Sequence, residues 1–63
     1  MTLTTTPNIS DPDGFYADLI ALHEGLEDAD SHALNARLVL ILANHIGDRA
    51  TLREAMELAA KPR

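Results

Sequence analysis

Leu38-Val39-Leu40-Ile41-Leu42-Ala43 is an unbroken apolar run in the middle of the chain, and its reading decides the fold. It sits inside a helical pattern. Leu34, Leu38, Ile41, Leu42 and His45 share one face of a 3.6-residue helix, with Val39 and Ile46 flanking it. Ala33, Ala36, Leu40 and Ala43 lie on the back, where small residues let another helix approach closely. Arg37 and Asn44, seven residues apart, form a thin polar stripe between the two faces. A helix that is apolar nearly all round needs cover on more than one side. The whole chain has 63 residues with which to supply it.

Working outward, the helix is read from about residue 31 to residue 46. Gly47 follows it and suits the left-handed position just past a helix end. Asp48 then caps a helix over 49–60, in which Leu52, Ala55, Met56 and Ala59 give the i, i+3, i+4, i+7 signature. Arg53 and Glu57 are spaced to pair across one turn. Lys61 and Arg63 place cations near the negative helix end, and Pro62 is a stop.

On the other side, Asp11 can cap, Pro12 suits the first helical position and Asp13 favours the positive end of the dipole. Phe15, Leu19, Leu22 and Leu26 repeat at four, three and four, so a helix is expected over 12–27. Asp28, Asp30 and Ser31 read as a tight connection and a cap for the next helix. Residues 1–10, rich in Thr and lacking an apolar period, read as a disordered arm, leaving 11–61 as a single helical domain. The expected fold class is all-α: a small three-helix bundle, or a helical hairpin braced by a third helix.

Composition narrows the function classes. No cysteine is present, so neither a disulfide staple nor a thiolate nucleophile is available. A domain near 60 residues buries only about 60% of its unfolded surface and is marginal alone. The net charge of −5 argues against nucleic-acid binding, which draws on Lys and Arg to neutralise phosphates. Charge is also segregated: Asp11–Asp30 holds seven acidic residues and no Lys or Arg, while all five basic residues lie from Arg37 onward. The apolar run falls far short of the ~20 residues of a membrane span, and residues 1–10 lack the pattern of a signal peptide. A cytoplasmic location is expected.

No catalytic, cofactor-binding or metal-ligating set is legible. His23 and Glu27 are an i, i+4 pair, which is half a metal site; no second His lies one turn away. Beside Tyr16, His23 reads as an edge residue satisfied by Glu27 or water. His45 falls in line with Leu38 and Ile41, either packing at its helix end or giving association a pH dependence. Ser10 and Ser31 have no arranged base, and the glycines are dispersed, so neither a nucleophile nor a phosphate cradle is indicated. A non-catalytic interaction module is therefore expected, binding a second copy or a larger protein. Asn35, Arg37, Leu40, Asn44 and His45 are the candidate partner-binding residues. The alternative is a small helix-turn-helix-like transcriptional regulator. Leu42–Arg53 approaches that pattern with Arg49, Thr51 and Arg53 near a helix start, but Asp48 stands where an apolar residue is expected after the turn glycine.

Four stretches carry more information together than a generic helix requires: Asp11-Pro12-Asp13-Gly14-Phe15-Tyr16, Leu22-His23-Glu24-Gly25-Leu26, Leu34-Asn35-Ala36-Arg37-Leu38 and Leu42-Ala43-Asn44-His45-Ile46-Gly47-Asp48. They resemble a family of short bacterial proteins classed as a domain of unknown function, over nearly all of residues 11–60. The resemblance implies a small stand-alone protein, in some cases encoded near flavin-dependent aromatic hydroxylases, and hence an accessory partner of such an enzyme. It supplies no catalytic residues. Asn35, Arg37, Asn44, His45 and Asp48 are the positions whose polarity packing alone does not explain.

Overall fold

Local capping chemistry divides the chain into three helices, α1 (Pro12–His23), α2 (Asp28–Ile46) and α3 (Arg49–Ala60). The computed structural model describes residues 2–62; Met1 of the expected arm and Arg63 of the cationic tail lie outside the described residues. No strand occurs among them, and the architecture is the expected small all-α bundle. Residues 2–10 form no helix or strand, with Leu3 half-buried and the rest exposed.

α1 starts where the sequence places it. Asp11 adopts a left-handed conformation (φ 49°), and its carboxylate accepts a hydrogen bond from the Gly14 amide at 3.1 Å. The cap fits closely over glycine: a Cβ at Gly14 would stand 2.3 Å from Asp11 Oδ2, so a larger residue would displace the capping carboxylate. The helix ends one turn before the expected Glu27. Glu24 turns extended (φ −61°, ψ 132°) and Gly25 takes φ 78°, a region that glycine enters without a Cβ penalty. The Leu22–Leu26 spacing therefore continues the apolar period across a turn, not along one helix.

α2 begins at Asp28, three residues before the expected Ser31. Glu27 occupies the N-cap without a side-chain capping bond. Asp28 and Asp30 lie inside the first turn, where negative charge meets the exposed amides and the positive end of the dipole. Ser31 is thus a helical residue and not a cap, and its hydroxyl is free for another partner. At the far end Gly47 closes α2 with φ 74° and donates its N–H to the Ala43 carbonyl at 2.9 Å.

Gly47 and Asp48 alone link α2 to α3, and these two helices make more contact with each other than any other pair does. Asp48 Oδ2 accepts from the Thr51 amide at 2.9 Å and from the Thr51 hydroxyl. Thr51 is only 4% exposed, the one buried residue among those described. These bonds hold the Asp48 carboxyl below its ordinary range, the Thr51 hydroxyl contributing most and its amide next.

No large apolar side chain is fully buried among the described residues. Ala43 on α2 and Leu52 and Ala55 on α3 are half-buried and form an inner seam between those two helices; Leu19 on α1 and Leu34 and Leu38 on α2 are half-buried too. The Cα radius of gyration is 13.4 Å, against about 11 Å for a close-packed chain of this length. A folded chain of 6.8 kDa is expected to expose about 4,000 Å²; this one exposes 5740 Å². The extended residues 2–10 contribute part of the excess.

Two consequences are measurable. Gly47→Ala forces a Cβ into a left-handed position and should destabilise the fold by about 1 kcal/mol or more, read as a lower urea midpoint at unchanged slope. Because the folded pKa of Asp48 is lowered, its contribution is complete above the unfolded carboxylate value of about 3.9 and fades as pH falls through the folded value. Thermal melts should lose stability on that acid side, and Asp48→Asn, which keeps an acceptor without the charge, should flatten the loss.

Candidate functional site

The site follows from which apolar residues the inner seam fails to cover. α2 and α3 diverge from the Gly47 turn and leave a groove of about 420 Å³ between them. Its floor is made by the half-buried Ala43, Leu52 and Ala55. Val39, Leu40, Leu42 and Ile46 on α2 and Met56 on α3 rise beside the floor and are exposed. Val39, Leu42, Ala43 and Ile46 are spaced i, i+3, i+4, i+7, and Leu52, Ala55 and Met56 are spaced i, i+3, i+4. Each helix thus turns a regular apolar stripe into the same trough.

Exposure peaks at the groove wall and just beyond it. Val39, Leu40 and Ile41 are 63%, 70% and 65% exposed. Ile41 lies outside the groove, towards the side of α2 that carries Leu34 and Leu38. α2 is therefore uncovered on two sides.

Of the candidate partner-binding residues, Leu40 lines the groove. Asn35, Arg37, Asn44 and His45 are exposed on α2 and do not line it. Sequence reasoning did not assign Met56, Leu52 and Ala55 to this surface. Their periodicity was readable, but which face of α3 meets α2 depends on the two-residue turn, which periodicity does not specify.

The remaining candidates are placed elsewhere. His23 Nδ1 lies 3.0 Å from Ser31 Oγ, linking the end of α1 to the first turn of α2. The hydroxyl, not Glu27, is its partner, because the early start of α2 turns Ser31 toward the end of α1. From Ser31 to His45 the helix rises about 21 Å, so His23, Glu27 and His45 are not brought together. No cluster of three or more His, Asp or Glu suited to a metal occurs among the described residues. Arg49 and Arg53 border a shallow depression of about 380 Å³ together with Glu54 and Glu57, giving a mixed-charge surface and not a basic stripe. The α2–α3 link of two residues is shorter than the three- or four-residue turn of a DNA-binding helix pair. No helix among the described residues is long and apolar enough to cross a membrane.

The chain matches a family model described as "Protein of unknown function (DUF2783)" over residues 3–61. Neither the curated proteins nor the solved structures contain a significant match.

Among the described residues, the His23–Ser31 bond ties the end of α1 to the first turn of α2 through side chains. Ser31→Ala should raise amide exchange across α1 while leaving protection in the second half of α2 and in α3 unchanged, as read residue by residue by hydrogen–deuterium exchange.

Proposed function

We propose that this chain, which belongs to the family described as protein of unknown function (DUF2783), is a non-catalytic helical protein–protein interaction module. The observation that carries the reading is the exposure of Val39, Leu40, Ile41 and Leu42 in mid-helix beside an apolar groove. Contiguous exposed apolar surface on a small protein marks an interaction site. Covering what remains exposed of each of these side chains is worth roughly 1–2 kcal/mol before the costs of association are subtracted. That gain is large beside the near-zero balance of a lone scaffold of this size.

Polar residues surround this apolar centre in the arrangement interfaces use. Arg37, Asn44 and His45 stand exposed on α2 next to it, and an apolar core with a polar rim is the anatomy of a docking surface. Arg37 is suited to grip a carboxylate through its planar fork. The bacterial stand-alone character and the hydroxylase neighbourhoods implied by the resemblance favour an accessory role in the cytoplasm. On that reading a flavin-dependent aromatic hydroxylase is the larger partner. Asp48, set apart by the same resemblance, is accounted for by the α3 cap.

Native mass spectrometry of the full chain, alone and co-expressed with such a hydroxylase, tests the module. At least one preparation should contain the chain in a particle with a second polypeptide, and Leu40→Glu should reduce that species. A lone 6.8 kDa particle in both preparations would contradict the proposal.

A further inference from the structure

The groove is self-complementary, and this identifies an occupant. Its floor is built from two alanines and a half-buried leucine, while large side chains stand on its walls. A second hairpin turned over it would bring Leu40 and Met56 as knobs to the holes above Ala43 and Ala55, and would receive the same in return. Such a reciprocal contact is the isologous interface of a two-fold dimer. We propose that a second copy of this chain fills the α2–α3 groove, the two hairpins packing face to face with their α2 helices antiparallel to form a four-helix core. The proposal rests on the interaction-module reading and names its partner.

Area and charge both select this arrangement. The surface in excess of a compact chain is roughly 1,800 Å², about twice the ~800 Å² each partner contributes to a standard interface. Residues 2–10 take part of this surplus, and the exposed apolar side chains of α2 and α3 take another part. Asp11–Asp30, with seven acidic residues and no Lys or Arg, spans α1 and the first turn of α2. A parallel pair would bring two such ends side by side, where like charges repel. The antiparallel pair separates them and sets each beside the end of the other copy at which α2 turns into α3. The groove-lining residues of α2 run from Val39 to Ile46, so the helices cross near Leu42 and Ala43. Asp30 then lies about 18 Å along the helix from the crossing point, and the two copies of Asp30 are far apart.

Sedimentation equilibrium of the full chain across a wide concentration range should give twice the 6.8 kDa chain mass. Leu40→Glu should weaken the dimer by about tenfold or more, whereas Tyr16→Glu, on an exposed part of α1, should leave it unchanged. Because the parent has no cysteine, single cysteines report geometry even if the charged variant fails to fold. Under mild oxidation Leu42→Cys should form a disulfide-linked dimer and Asp30→Cys should not. A monomer at every concentration, a dimer indifferent to Leu40→Glu, or linkage at Asp30→Cys without linkage at Leu42→Cys would overturn the proposal. A chain that is monomeric alone yet held by a hydroxylase would overturn the second copy while leaving the interaction module intact.

Discussion

The apolar area of α2 exceeds what two twelve-residue helices can cover. α2 is nineteen residues long and carries six consecutive apolar positions at its centre, whereas α1 and α3 each offer twelve residues and a single stripe. α3 half-buries its Leu52 and Ala55 at the seam and leaves Met56 outside. α1 carries the half-buried Leu19, but its Phe15 and Leu22 remain exposed. Hydrophobic burial is the dominant favourable term in folding, and in this chain a large part of it is still unused when the helices have met. With no cysteine to substitute for a core, stability and the proposed association would draw on the same surface.

What the chain does secure locally is its helix ends. Asp11 with Gly14, Gly47 with Ala43, and Asp48 with Thr51 satisfy amides and carbonyls that would otherwise be open. The buried Thr51 and the two-residue Gly47–Asp48 link lie together at the α2–α3 junction. The hairpin built on that junction carries the groove. Rigid presentation of an apolar trough lowers the ordering cost of binding, so under the proposed function the capping chemistry and the groove serve one purpose.

Much of this was legible in the sequence because it is local. The caps at Asp11 and Asp48, the left-handed Gly47 and the α3 boundaries follow from residue types within a few positions of one another. The α1–α2 junction was not legible. Leu26 stays in phase with Leu22 although a Gly25 turn intervenes, and acidic residues suit either a cap or a first helical turn, so Ser31 read as a boundary. At the candidate site, Leu40 could be picked from its place on the small-residue face, and Ala43 on that face proved to be part of the floor. Ala33 and Ala36, on the same face, are exposed and outside the groove. Periodicity gives the angle of a residue around its own helix; the direction of the neighbouring helix comes from the turn, and only the fold supplies it.

Under the proposed function, folding of this chain is coupled to covering its apolar surface with another polypeptide. The dependence of the melting temperature on protein concentration measures that coupling directly, since association with a folded partner copy stabilises by mass action. The melting temperature should climb steadily as the concentration is raised. A sharp, two-state melt at the same temperature from the most dilute to the most concentrated sample would contradict that coupling.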